Sequence, residues 1–562
     1  MRTPIPWLLP LLLLPYLPAQ EAAPASREAA TLPPALRFVD AGRADRCARL
    51  EQLSTADLSG KLEYRMEWSP AEGERPDRFV LGLQVRVAEP GDLVLCMPAW
   101  RPGSYQIVDY GKKVLDLAAE QGGRELAVEP LETNLWRVAG AGKGPLELTW
   151  ALEAAQFKTR SRDKDAPPGY HFHAPALWLH ELRHKQLPVT VELALPREWE
   201  VATGLDGKGD QRRRRRPTLY RFAAADYDEL IDRPIMCGDL ERFDFRVRRK
   251  RYEVAIWGKD GTDRQEFAER LGRICEHFDA MFGGVPFDRY VFLLQVGGFG
   301  GGGLEHRNST SISVGNLSGS RPDRKSMADS VLAHEFFHLW NVKRLRPVAL
   351  GPFDYTGPNR TTALWFAEGV TSYYGNKALA QTGLVDPEVW WSGLATAFSR
   401  LRSDAARKRM SIADVSWTVW DGPRMARRGV VSYYLKGECL GFLLDVLIRD
   451  GSDNRHSLDE LMRRLYARCE RGGAGFAEDD VRELASELAG RRLDDFFDAY
   501  VYGTEDLPIE EVLPKAGMKL EQGEAGGRRV RFGFVEDPQA SDKARRIREA
   551  LVGPLVGRKD RR

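Results

Sequence analysis

Between about residues 60 and 250 apolar and polar residues alternate with a period of two, and from residue 262 onward the spacing becomes that of helices. One hydrophobic pattern cannot serve both a strand and a helix, so the switch divides the chain into a β-rich part and a largely helical part. "FVLGLQVRV" puts Phe79, Leu81, Leu83, Val85 and Val87 on one face of a strand. "LELTWALE" does so with Leu146, Leu148, Trp150 and Leu152, and "VTVELAL" with Val189, Val191, Leu193 and Leu195. Turn residues separate these runs, and a β-sandwich-like domain is expected.

The helical part opens with "TDRQEFAERLGRICEHFDAMF". Thr262 and Gln265 have the spacing of a capping box, and Phe267, Leu271, Ile274, Phe278 and Met281 then mark one helix face, with Cys275 a buried thiol on it. The short apolar strand "YVFLLQV" runs into "GGFGGGGLEH". From about residue 325 to 500 helices dominate. Ser457 and Glu460 suggest a second capping box, and Gly490 closes "FAEDDVRELASELAG" as a C-cap glycine.

The N-terminus reads as a secretory signal: Arg2, then the apolar "PWLLPLLLLPYLP", then small residues, with cleavage after Ala19 or Ala25. The run is too short to span a bilayer, and no later segment is apolar for long enough. Export to a periplasm or beyond is expected, with no stable membrane span after cleavage. A net charge of +2 over 562 residues gives no case for nucleic-acid binding. The local exception, Arg212 to Arg216, ends at Pro217 and reads as a solvated hairpin loop. The cysteines Cys47, Cys96, Cys237, Cys275, Cys439 and Cys469 form no CxxC pair, and one or two disulfides are compatible with their number.

The chemistry is concentrated in "HEFFHLWNVKRLRP". On a helix, His334 and His338 lie one turn apart on one face and can share an ion. Glu335 is beside them, within reach of a water activated by that ion. An ordinary amphipathic helix is the competing reading. Against it stand the apolar neighbours Val331, Leu332, Phe336, Phe337, Leu339 and Trp340, which mark a buried helix. Buried imidazoles beside a buried carboxylate need a partner, and a cation is the simplest one.

A third ligand is expected from nearby structure. "TALWFAEGVTSYYGNKALAQTG" reads as the next long helix, capped by Thr361 or Thr362 and ended by Gly383. Glu368 falls in its apolar half, where a carboxylate is costly unless it binds metal or pairs with Lys343 or Arg344. Elsewhere, His171 and His173 alternate on a strand with no third ligand nearby, and a structural role is expected. His180 and His184 have helical spacing without a buried helix's apolar frame. The cations of "NVKRLR" suit a helix C-terminus.

"HEFFHLWNVKRLRP" followed by "LWFAEGVTSYYGN" closely resembles the glycyl aminopeptidase family of gluzincin metallopeptidases, whose members often carry a PDZ domain. "GGGGLEH", "YYLKGECLGFLLDVLIR", "MPAWRPGSYQIVDYGKKV" and "YVYGTEDLPIEEVLPKAGM" extend the likeness from about residue 60 to 517. The resemblance implies an α+β multidomain protein. Its expected parts are a signal peptide (1–25), a linker (26–59) and an N-terminal β domain (60–250). A thermolysin-like catalytic domain (251–450), a C-terminal helical region (451–517) and a tail or PDZ remnant (518–562) follow.

The resemblance also implies one zinc ion on His334, His338 and Glu368, with Glu335 as general base. It implies Glu305 of "GLEH" as the anchor of a substrate's free amine, and Tyr434 of "YLKG" as donor to the oxyanion. A surface carboxylate and a core tyrosine beside Tyr433 are the plain alternatives for the last two. The glycines Gly297, Gly298 and Gly300 to Gly303 would let an extended substrate approach the strand before Gly297, with Gly302 and Gly303 in contact; a flexible loop is the alternative. His306, next to Glu305, is a weaker candidate for the site's lining. The expected activity is removal of small N-terminal residues such as Gly or Ala from peptides. A zinc endopeptidase or broader aminopeptidase, and a non-catalytic binding or scaffold protein, are the alternatives. About 45 residues follow the helical region, too few for a full PDZ domain.

Overall fold

The structure is a computed structural model describing residues 41–210, 217–298, 301–422, 429–473, 475–524 and 530–553. The expected signal segment, the run Arg212 to Arg216 and Gly300 lie outside the described residues. The fold is α+β, with a β-rich N-terminal part followed by a helical region.

In the N-terminal part an eight-stranded sheet, with Asp57–Ser69 and Arg78–Glu89 at its centre, faces a four-stranded sheet containing Gly91–Cys96 and Leu135–Ala141. The predicted faces of Arg78–Glu89, Gly144–Glu153 and Val189–Leu195 point into one core, which Leu93, Leu95 and Val138 of the second sheet complete. The strands flanking Arg212 to Arg216, Asp206–Asp210 and Thr218–Ala224, are antiparallel partners. Part of the expected linker is structured: Ala41–Gln52 is a helix whose Leu50 packs with Val94, Cys96, Leu135 and Leu182.

The second part is built on a five-stranded sheet in the order Glu241–Val247, Lys250–Trp257, Arg289–Val296, Ser309–Val314, Gly302–Glu305. It therefore begins ahead of residue 251. Helix Arg264–Phe282 and helix Met327–Phe337 cover it. Phe278 lies 5.1 Å from Phe337, and Phe336 lies 5.2 Å from Tyr290 of the sheet. The HExxH segment is thus held between a sheet and a helix, as its apolar flanks require.

Several local expectations are corrected. The first helix is capped by Asp263, whose side chain accepts from Glu266 N, while Thr262 bonds to Asp260 and Gln265 donates to Glu269. Asp is as good a cap as Thr, and it stands one residue nearer the helix. Ser457 is the N-cap of Leu458–Gly472, but its side chain makes no capping bond, and Glu460 pairs with Arg463 and Arg464. His180 is on a two-residue strand, His180–Glu181, because a pairing with Cys96 and Leu95 overrides the helical spacing. All six cysteines are free thiols.

Residues 518–524 and 530–553 form a hairpin, Met518–Glu524 with Val530–Glu536, and a helix, Asp542–Val552. The hairpin docks on helix Pro387–Ser403, with Phe532 N donating to Ser399 Oγ at 2.8 Å and Val530 N to Ser403 Oγ at 3.1 Å. Among the described residues no helix is long and apolar enough to cross a membrane.

Candidate active site and metal centre

Helix Met327–Phe337 starts at Ser326, whose side chain accepts from Asp329 N at 3.0 Å. Asp329 is buried and paired with Arg270, which fixes the helix start against the preceding helix. At the other end His334 and His338 lie one turn apart with their rings nearly perpendicular and their Nε2 atoms 3.0 Å from each other. His338 Nδ1 donates to the carbonyl of Asn341 at 2.6 Å. A carbonyl only accepts, so a proton sits on Nδ1, and Nε2 is the ring atom turned toward His334 and Glu368.

The segment carrying Glu368 departs from the expected regular helix. Trp365–Val370 is a π-helical turn that continues as the α-helix Thr371–Gln381, with Gly383 just past its end. The start has no side-chain cap; Thr361 Oγ1 and Thr362 N both donate instead to Glu478 Oε1 at 2.7 Å. A π turn inserts a residue into the helical ladder. Here the side-chain amide of Asn341 donates to Phe366 O at 3.0 Å and Thr371 Oγ1 at 3.1 Å, supporting that turn.

Glycines set the approach of the elements. A Cβ on Gly369 would lie 2.3 Å from Gly437 Cα of helix Tyr433–Gly451, and one on Gly375 would lie 3.0 Å from His334 N. Backbone-to-backbone contact at these points brings Glu368 and Tyr434 up to the histidines.

Glu368 Oε2 lies 3.3 Å from His338 Nε2 and 3.6 Å from His334 Nε2. The alternative pairing of Glu368 with Lys343 or Arg344 is absent. Lys343 Nζ pairs with Asp232 at 2.6 Å, and Arg344 donates to the carbonyls of Leu339 and Arg307. The helix-terminus reading of "NVKRLR" therefore holds for Arg344, while Lys343 is a buried ion pair to the β-rich part.

The three donor atoms fit a zinc ion. Ligands about 2.0–2.1 Å from a tetrahedral centre stand about 3.3 Å from one another, and two imidazoles with one carboxylate are a known catalytic zinc set. The same place holds an excess of acid. Glu305 and Glu335 converge on His338 with ligand atoms within 4.8 Å, and Glu305 Oε1 and Glu335 Oε2 are buried without a hydrogen-bond partner. Among the described residues no Lys or Arg lines this cavity of about 390 Å³.

Electrostatics agree. Burial acts to lower His338, but Glu368, Glu305 and Glu335 outweigh it and lift the imidazole to about 10. Burial pushes Glu335 up to about 8, opposed by His338 and reinforced by Glu305 and Glu368. Burial also acts to raise Glu368, yet His338 and His334 hold it below the ordinary carboxylate range. Three carboxylates around one ring favour a positive charge there.

Glu305 ends the strand Gly302–Glu305, which lies at the edge of the sheet. The exposed edge is therefore this strand, whereas Arg289–Val296, the strand before Gly297, is flanked on both sides. Gly302 and Gly303 both line the cavity. A Cβ on Gly303 would lie 2.4 Å from Glu335, so its missing side chain makes room for Glu335, whereas Gly302 faces open space. Tyr434 lines the cavity with its ring 6.1 Å from that of His334. Tyr433, stacked on it, packs instead against the Trp100–Leu364–Trp420 cluster.

One cavity-lining residue and one contact to Glu368 come from the β-rich part and were not singled out in the sequence. Gly103 covers Glu305, with a Cβ there only 2.6 Å from Oε2. Tyr105 Oη donates to Glu368 Oε1 at 3.0 Å. Both lie in "RPGSY", a turn within a segment that the family resemblance includes. The remaining histidines stay outside. His171 bonds Ser311 at 2.8 Å, His184 bonds Glu181, and His306 is buried beside Asp232 without lining the cavity.

Residues 74–239 match the profile of the peptidase M61 N-terminal domain, and residues 328–440 that of the M61 glycyl aminopeptidase. Among solved structures the chain resembles an aminopeptidase N family protein from Idiomarina loihiensis, at 28% identity and a TM-score of 0.73, over 82% of this chain and 79% of that one. It is also similar to an M1 zinc metallopeptidase from Deinococcus radiodurans, at 14% identity and a TM-score of 0.49, over 80% of this chain and 94% of that one. A mutant of the latter bound to a Tyr-Ser-Ala substrate gives the same identity and TM-score, over 80% and 95%. No curated protein matches. With both M61 profiles matched, and a zinc-type donor set lying within the second, the chain belongs to an M61 glycyl aminopeptidase-like family of peptidases.

Proposed function

We propose that the protein is an exported zinc aminopeptidase that removes N-terminal residues from peptides, small ones such as Gly and Ala by its family likeness. The observation that carries this reading is Glu305. It is a buried carboxylate on an edge strand, beside Glu335 and His338, with one oxygen unpartnered and the backbone of Gly103 over it. Such a group suits a substrate ammonium, held by a charge-assisted hydrogen bond.

In this reading His334, His338 and Glu368 hold the zinc ion, whose charge supplies Lewis acidity to a scissile carbonyl and acidifies a water. Glu335 takes the proton from the attacking water and returns it to the leaving amine. The Tyr434 hydroxyl donates to the oxygen that gains charge as the carbonyl carbon becomes tetrahedral. The edge strand Gly302–Glu305 offers backbone groups to an extended substrate, and Gly302 leaves the approach clear.

Purified protein assayed on chromogenic amides of Gly, Ala and larger residues, each free and N-acetylated, tests the reading. Cleavage of the free amides alone, lost with a chelator and restored by zinc, is expected. Equal cleavage of acetylated substrates would replace it with an endopeptidase, and chelator-resistant activity would remove the metal mechanism. Export rests on the first 25 residues; sequencing the N-terminus of the mature protein, expected at residue 20 or 26, checks it.

A further inference from the structure

We propose that Tyr105, carried by the β-rich N-terminal part, is a positioning residue for Glu368, so that the metal affinity of the helical part depends on a loop from the other part of the chain. The inference rests on Glu368 being a metal ligand.

The two oxygens of Glu368 have separate partners. Oε2 faces His338 Nε2 and His334 Nε2, at 3.3 and 3.6 Å. Oε1 accepts from Tyr105 Oη at 3.0 Å, across 263 positions of sequence. Glu368 is 2% exposed and Tyr105 4% exposed, so water is poorly placed to substitute for the hydroxyl. A carboxylate can rotate about its terminal torsion, and that torsion is broad. A charge-assisted bond to one oxygen fixes the plane and leaves the other oxygen aimed at the imidazoles.

The loop is held by contacts that do not involve this hydroxyl. The Tyr105 ring meets Trp420 edge-on at 5.9 Å, and Trp420 meets Trp100 at 5.0 Å. Trp100 Nε1 donates to Asp354 O at 2.8 Å, and Ala99 N to Tyr355 O at 2.8 Å. Phenylalanine at 105 keeps the ring packing and removes the donor alone.

The test is zinc affinity, by competition with a chromophoric chelator, together with the melting temperature of the metal-free protein. Tyr105→Phe is expected to weaken zinc binding roughly 10–100-fold, the usual effect of removing a hydrogen-bond partner of a ligand, with the metal-free melting temperature unchanged. Trp420→Phe, which alters the same packing but spares the hydroxyl, is expected to keep wild-type zinc affinity. Unchanged affinity in Tyr105→Phe would overturn the proposal. Equal losses of affinity and melting temperature in both variants would also overturn it, assigning the effect to packing. Glu368→Gln separates this inference from the reading beneath it. Zinc affinity lost in Glu368→Gln but kept in Tyr105→Phe sinks only the inference, and affinity kept in Glu368→Gln sinks the ligand assignment as well.

Discussion

The carbonyl of Asn341 accepts from His338 Nδ1 at 2.6 Å, while the amide of the same residue donates to Phe366 O at 3.0 Å. One buried residue therefore ties the end of the HExxH helix to the π turn that carries Glu368. Asn341→Ala keeps the carbonyl but leaves acceptors of that turn without a donor. It should cost about 1–3 kcal/mol of stability, read by chemical denaturation, and lower zinc affinity. Full zinc affinity in a destabilised variant would show that the turn does not need this support.

The contact between Gly369 and Gly437 predicts a steric effect. A methyl on Gly437 would lie 2.3 Å from Trp365 O and 2.8 Å from Gly369 Cα, both backbone atoms that cannot rotate away. Gly437→Ala should destabilise by about 1–3 kcal/mol through overpacking and reduce metal content by shifting Glu368. A melting temperature equal to wild type would contradict the close crossing.

Removing the proposed amine anchor should act on free-amine substrates alone. A charge-assisted bond contributes about 1.5–3 kcal/mol, so Glu305→Ala should lower kcat/KM on aminoacyl amides roughly 10–100-fold. Zinc content measured by atomic absorption should not change. An unchanged kcat/KM would return Glu305 to a structural role.

Glu335 and Tyr434 should separate by their kinetics. Glu335→Gln removes the proton acceptor and should lower kcat by about 10²–10⁴-fold with zinc retained. Tyr434→Phe removes one donor to the developing oxyanion and should lower kcat by about 10²–10³-fold with little change in KM. A large rise in KM with kcat intact would instead make Tyr434 a ground-state contact.

How far the site could be read from sequence follows from where its residues sit. His334, Glu335 and His338 are one turn of one helix, so spacing alone places them together. Glu368 was legible because a lone carboxylate interrupts an apolar run. The π turn was not, because its support comes from Asn341, a contact made only once the elements pack. Tyr105 was silent for the same reason: its partner is 263 positions away, and nothing local distinguishes it from a core tyrosine. The strand faces were readable because period-two alternation needs no partner to be seen. That an extended substrate would meet Gly302–Glu305 rather than the strand before Gly297 was not legible, since strand order is a tertiary fact.

A buried charge cluster away from the cavity predicts behaviour in acid. Asp445 pairs with Lys377 and Arg449, both at 2.8 Å, and accepts from Tyr373 at 2.7 Å. Burial acts to raise its pKa, but Arg449 and Lys377 outweigh that and hold it below the ordinary range. A carboxyl depressed in the folded state contributes stability that is complete above its unfolded pKa, about 3.9, and lost as pH falls below it. Asp445→Asn should cost about 3 kcal/mol at neutral pH, because Lys377 and Arg449 would keep only the more distant Asp459, at 3.5 and 3.9 Å. It should also flatten the loss of stability below about pH 4. Superimposable acid limbs in urea titrations would refute this.

The cavity draws its lining from residue 103 through residue 434. During synthesis, therefore, no nascent chain owns a complete pocket until residue 434 has emerged and met the turn that carries Gly103. Completion of the metal-binding pocket becomes a late event in the life of the molecule.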